Sequence, residues 1–258
     1  MRSLSPLLQN RSTLLNELRG GIGLINAEYI FTRLQTLGDR QRAQALQRFF
    51  KTGPGEYGEG DVFVGIRVPE VRKLAKEYDG LPLYEAVKLL QSPVHEARLL
   101  ALIVLARSYN RGDAVRQKEI YEAYLQNTRY INSWDLVDLS AEHIVGAYLL
   151  LRDKAPLYAL AESSLLWERR ISILATFHYI KRGEIEETLH IARTLLVDPE
   201  DLIHKAVGWM LREVGKRDHS VEEAFLKAHY KLMPRAMLRY AIDKFPEALR
   251  QQYLKGQI

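Results

Sequence analysis

The chain has 258 residues, 47% hydrophobic and 27% charged, a composition that suits a soluble globular protein long enough to bury a sizeable core. It contains no cysteine, which excludes disulfides, thiolate zinc sites and a cysteine nucleophile. A net charge of +5 and a pI near 9.2 are compatible with a polyanionic partner if the cations cluster. No apolar run approaches the roughly 18 residues of a membrane span, and the 3–9 stretch is too short and interrupted for a secretion signal, so a cytoplasmic location is expected.

Apolar residues recur at helical period along almost the whole chain, broken by Gly, Pro, Asp and Asn. The pattern predicts helices over 12–18, 27–37, 40–50, 69–78, 83–90, 94–109, 113–125, 134–151, 156–162, 167–180, 185–196, 201–214, 221–230, 235–245 and 246–254. No run alternates cleanly at period two, so no sheet is expected. Residues 1–24, with Gly20-Gly21, read as an N-terminal extension, and 25–258 as one helical domain. Between the third and fourth helices, Gly53, Gly55 and Gly58 form a formal G-x-G-x-x-G. It is not a dinucleotide site: no strand precedes it, and Glu56, Glu59 and Asp61 would repel phosphate. It reads as a long ordered loop, after which Arg67 and Arg72 are placed to touch a partner.

The most informative stretch is Asn132-Ser133-Trp134-Asp135-Leu136-Val137-Asp138-Leu139-Ser140. Asn132 or Ser133 can cap a helix, and Asp135 falls in the first turn, where the helix dipole favours an anion. Trp134 and Asp138 are four apart and share one helical face. Around them the chain repeats. Arg98, Trp134, Arg170, Lys205 and Arg239 follow one another at intervals of 36, 36, 35 and 34 residues, each near the start of a helix. A period near 35 built from helix pairs is the signature of an α-solenoid, in which equivalent positions line one surface. The spacing thus predicts a face carrying Arg98, Arg170, Lys205 and Arg239 with Trp134 among them. Cations at helix starts run against the usual preference for acids, and an anionic ligand such as a nucleic-acid backbone explains the departure.

No H-E-x-x-H, G-x-S-x-G or P-loop occurs, and the seven histidines are dispersed. The sequence therefore calls for no metal and no cofactor, and any catalysis falls to carboxylates and aromatics.

These residues resemble the AlkD family of DNA alkylation repair glycosylases, which are built from HEAT-like helical repeats. The matching pieces are Phe49-Phe50-Lys51-Thr52-Gly53-Pro54-Gly55-Glu56-Tyr57-Gly58-Glu59-Gly60, Gly65-Ile66-Arg67-Val68-Pro69, the 132–138 stretch, Trp167-Glu168-Arg169-Arg170 and Gly208-Trp209-Met210-Leu211-Arg212. The resemblance spans roughly 25–250. It implies an all-α, elongated and curved solenoid that excises cationic N3- and N7-alkylated purines, such as 3-methyladenine and 7-methylguanine, from duplex DNA. It also implies Asp138 as the catalytic carboxylate, Trp134 and Trp209 as aromatic walls beside the lesion, and Arg170 and Arg212 as holders of the phosphodiester backbone. A monomer is expected. Relatives without the aromatic–carboxylate set are read as binding DNA without excising bases, and a non-catalytic DNA-binding protein of the same fold is the alternative. A peptide-binding solenoid is a more distant one, because its groove would show Asn or apolar ladders where this chain shows Arg and Lys.

Overall fold

The structure is a computed structural model that describes residues 25–258; the extension expected over 1–24 and its 12–18 helix lie outside the described residues. The described residues are helical, and their β-type pairing is one isolated parallel bridge between Val62 and Val94. The helices are α1 Ala27–Leu37, α2 Arg40–Phe49, α3 Val68–Glu77, α4 Leu83–Leu90, α5 His95–Arg111, α6 Ala114–Gln126, α7 Trp134–Ala141, α8 Ala147–Leu149, α9 Ala155–Ala161, α10 Leu166–Ala175, α11 Phe177–Ile180, α12 Glu186–Thr194, α13 Asp201–Gly215, α14 His219–His229, α15 Arg235–Ala241 and α16 Glu247–Lys255. Asn26, Asp39, Asp113 and Asp218 start α1, α2, α6 and α14 by accepting first-turn N–H groups on their side chains.

Three expected helices are interrupted, the one over 235–245 by a 3-10 turn, Ile242–Lys244, after α15. The one over 134–151 widens after α7 into a π-helical turn, Glu142–Gly146, before α8. At that turn the backbone presses on the next repeat, and a Cβ on Gly146 would lie 2.1 Å from the Ala175 carbonyl oxygen. The helix expected over 167–180 breaks at Thr176, whose hydroxyl donates back to the Ile173 carbonyl at 2.7 Å. Such back-bonding competes with the helix ladder and bends it.

The chain is an α-solenoid of two layers. In one layer α5 packs on α7, α7 on α10, α10 on α13 and α13 on α15; α4, α6, α9, α12 and α14 pack against this series from the other layer. One contiguous apolar core runs between them, from Ile30 on α1 to Tyr253 on α16. A small second cluster, Ala43, Phe50 and Phe63, lies between α2 and the following loop, and Trp134 packs against it.

The stack corrects the register read from spacing. Arg170, Lys205 and Arg239 are each the fifth residue of their helix, and Arg98 is the fourth of α5. The fifth residue of α7 is Asp138; Trp134 is its first. One carboxylate, and not the tryptophan, occupies the row otherwise held by cations. The sequence interval misled because α5 and α7 start 39 residues apart and α7 and α10 only 32, about one helical turn more and one turn less than the 35 and 34 that follow.

Candidate functional site

Asp138, Arg170 and Lys205 of this row open onto a cleft of about 590 Å³. Trp134 and Asp138 reach it from α7, Arg170 from α10, Lys205 and Trp209 from α13, and Tyr240 from α15. Phe49, Lys51 and Tyr57 come from the end of α2 and the glycine-rich loop, and Glu200, Asp201 and Leu202 from the start of α13. The three residues expected to do chemistry, Asp138, Trp134 and Trp209, therefore share one cavity.

Asp138 retains about 20% of its side-chain exposure and faces Arg170 squarely. Arg170 Nε donates to Oδ1 and Nη2 to Oδ2, both at 2.9 Å, while Nη1 donates to the Leu202 carbonyl at 2.5 Å. Burial pushes the Asp138 carboxyl above the usual aspartate range, and the Arg170 charge and hydrogen bonds pull against that rise. Arg170 is itself only 5% exposed. A planar fork matched to a carboxylate fixes where Asp138 points.

Trp134 is held by aromatic neighbours. Its ring stacks on Phe50 at 5.4 Å and 13°, and Phe49 meets it edge-on at 6.2 Å. Phe50 stacks on Phe63 at 5.0 Å, and Phe63 on His95 at 4.4 Å. Tyr57 packs edge-on to Trp167 at 6.1 Å. On the far side Trp209 lies against Phe177 at 5.9 Å and donates its indole N–H to Glu213 at 3.1 Å.

The glycine-rich loop is part of this wall. Buried Glu96 on α5 accepts three consecutive backbone N–H groups, from Val64, Gly65 and Ile66, at 3.0, 2.7 and 3.2 Å. Gly65 adopts φ 87° and lies so near α2 that a Cβ would meet the Asp39 carbonyl oxygen at 2.1 Å. His95, 1% exposed, bonds Asp61 through Nδ1 and Asp135 through Nε2, each at 2.9 Å. Burial alone would raise Asp135, yet the bonds from His95 and Ser133 bring its carboxyl below the usual range. Ser133 occupies the N-cap position, but its hydroxyl donates to Asp135 at 2.7 Å instead of accepting a helix amide as expected.

The cations expected to hold DNA are dispersed in their surroundings. Arg98 does not line a shared face: it is 4% exposed, ion-paired with Asp61, and burial lowers its pKa to about 10. A carboxylate delivered by the loop, which repeat phase cannot reveal, has covered it. Lys205 lines the cleft and pairs with Asp201 at 2.6 Å. Arg212 pairs with Asp243 at 3.1 Å and, with exposed Arg239, lines an adjoining depression of about 570 Å³ that shares Tyr240 with the cleft. Spacing also passed over Phe49, Lys51, Tyr57 and Tyr240 as cleft residues; the sequence signal for the first three was the 49–60 motif, and for Tyr240 there was none.

The likenesses to other proteins agree with this architecture. A family model described as DNA alkylation repair enzyme matches residues 30–245. No curated protein matches the chain. Among solved structures, an Enterococcus faecalis protein described as a predicted DNA alkylation repair enzyme aligns with a TM-score of 0.63 at 18% identity, over 81% of this chain and 97% of that one. AlkD2 from Streptococcus mutans aligns with a TM-score of 0.51, also at 18% identity, over 81% and 99%. At that identity the structures speak for the fold alone, while the family model covers most of the sequence: the chain belongs to the DNA alkylation repair enzyme family.

Proposed function

We propose that the protein is a DNA glycosylase that hydrolyses the N-glycosidic bond of N3- and N7-alkylated purines in duplex DNA. The observation that carries this reading is the Asp138 carboxylate, partly exposed in a cleft walled by Trp134 and Trp209 and oriented by Arg170. Alkylation leaves the purine cationic, so it departs with the bonding electron pair as a neutral base. The deoxyribose is left with oxocarbenium character, and water adds at C1′. A carboxylate beside that carbon stabilises the developing charge and can accept the proton of the attacking water. Indole faces favour both the charged base and the cationic sugar, by about 0.5–2 kcal/mol each.

The test is incubation with methylated duplex and chromatography of the freed bases. Wild-type protein releases 7-methylguanine and 3-methyladenine. Asp138→Asn slows release by at least about 100-fold with DNA binding nearly retained. Equal release by the variant removes Asp138 from the reaction. One observation favours the alternative of a DNA-binding protein without excision: both Asp138 oxygens already accept from Arg170. That reading predicts no freed base from the wild type.

A further inference from the structure

The cleft is electrically balanced. Lys51, Arg170 and Lys205 line it opposite Asp138, Glu200 and Asp201, and two of these cations are in ion pairs there. A polyanion gains little from such a surface. On the other side of Asp138 a second groove of about 510 Å³ begins, and Asp138 is the residue the two depressions share. Its polar lining is Arg72 and Lys76 from α3, Arg107 and Asn110 from α5, and His143 from the π-helical turn after α7. Arg72, Lys76, Asn110 and His143 are exposed. Of the nearby carboxylates, Glu77 is engaged elsewhere, with Arg33 at 2.8 Å, whereas Asp79 pairs with Arg107 of the groove itself at 2.7 Å. Among the described residues Arg72 and Lys76 have no ion-pair partner. They are four apart on one helix and present their charge on one face.

We propose that this groove is the phosphodiester seat of the protein, occupied by a backbone segment of the same duplex whose lesion nucleotide lies in the aromatic cleft. The proposal rests on the reading that duplex DNA is the ligand and assigns the backbone contact to residues other than the repeat-phased arginines. Phosphate oxygens meet guanidinium, ammonium, amide and imidazole donors there, while the sugar attached to them passes Asp138 at the junction. An apolar floor from Ile103, Ala106 and Leu139 keeps those donors at the walls.

Salt-dependent binding tests it. Each phosphate neutralised by Lys or Arg contributes about 0.9 to the slope of log binding constant against log salt. The double variant Arg72→Gln, Lys76→Gln is compared with the wild type and with a charge-matched control, Lys118→Gln, Lys227→Gln, on α6 and α14. Methylated and unmodified duplexes are used, and circular dichroism checks each fold. The expected result is a slope shallower by about 1.8 for the groove variant on both duplexes, with the control unchanged. A wild-type slope in the groove variant, or an equal loss in the control, overturns the proposal. Base release by the wild type is read in parallel: release without slope loss refutes the groove alone, and slope loss without release refutes the glycosylase reading alone. A wild type that binds no duplex at any salt refutes both.

Discussion

Asp138 is placed between two opposing influences. Burial favours its neutral acid, and Arg170 favours the carboxylate. The net displacement is upward, so the ionised form that the proposed hydrolysis needs is lost as pH falls through a value above the ordinary aspartate range. Base release measured under single-turnover conditions should therefore show an acidic limb with its midpoint above that of a solvated aspartate. Arg170→Ala removes the stabilising charge and should move the limb to higher pH, as well as lower the plateau. An unchanged midpoint in the variant would mean that the limb reports another group. In the sequence, the four-residue spacing placed Asp138 on one helical face with Trp134, which is a local relation, and its role came from the family resemblance. Its bond to Arg170 was not legible, because the two are 32 positions apart in sequence and a whole turn of the solenoid brings them together.

Among the elements, the 50–67 loop shows how a segment without regular structure becomes a rigid wall. Glu96 satisfies three of its amides from a position 2% exposed, and the Val62–Val94 bridge fastens it to the start of α5. Glu96→Ala leaves those amides without a partner. At about 1–3 kcal/mol per buried orphan, a loss of at least about 3 kcal/mol is expected in urea denaturation. Release of methylated bases should fall as well, since Lys51 and Tyr57 ride on the same segment. Retained stability would show that water replaces the carboxylate. From sequence the loop was recognisable by its glycines and acids, which excluded a nucleotide site. What those acids do was hidden: Asp61 serves His95 and Arg98, and Glu56 and Glu59 accept from the Gly53 and Gly55 amides.

For the molecule as a whole, helical periodicity placed nearly every element, because each repeat buries one stripe against the next and the stripe is written into local spacing. Phase along the repeats was less dependable. It put Trp134 where Asp138 stands and treated Arg98 as equivalent to Arg239, although one is sealed under a loop and the other is exposed. Burial depends on what crosses over a position, and that is settled by chain segments far away in sequence.

The chain has three tryptophans, and all of them gather at the cleft: Trp134 and Trp209 in its walls, Trp167 behind Tyr57. The unlabelled protein thus carries its own optical reporter, with no indole elsewhere to dilute the signal. Titration with duplex should quench or shift the intrinsic emission by a large fraction of its total intensity, and Trp134→Phe should remove much of that change; emission indifferent to DNA would place the ligand away from this cavity.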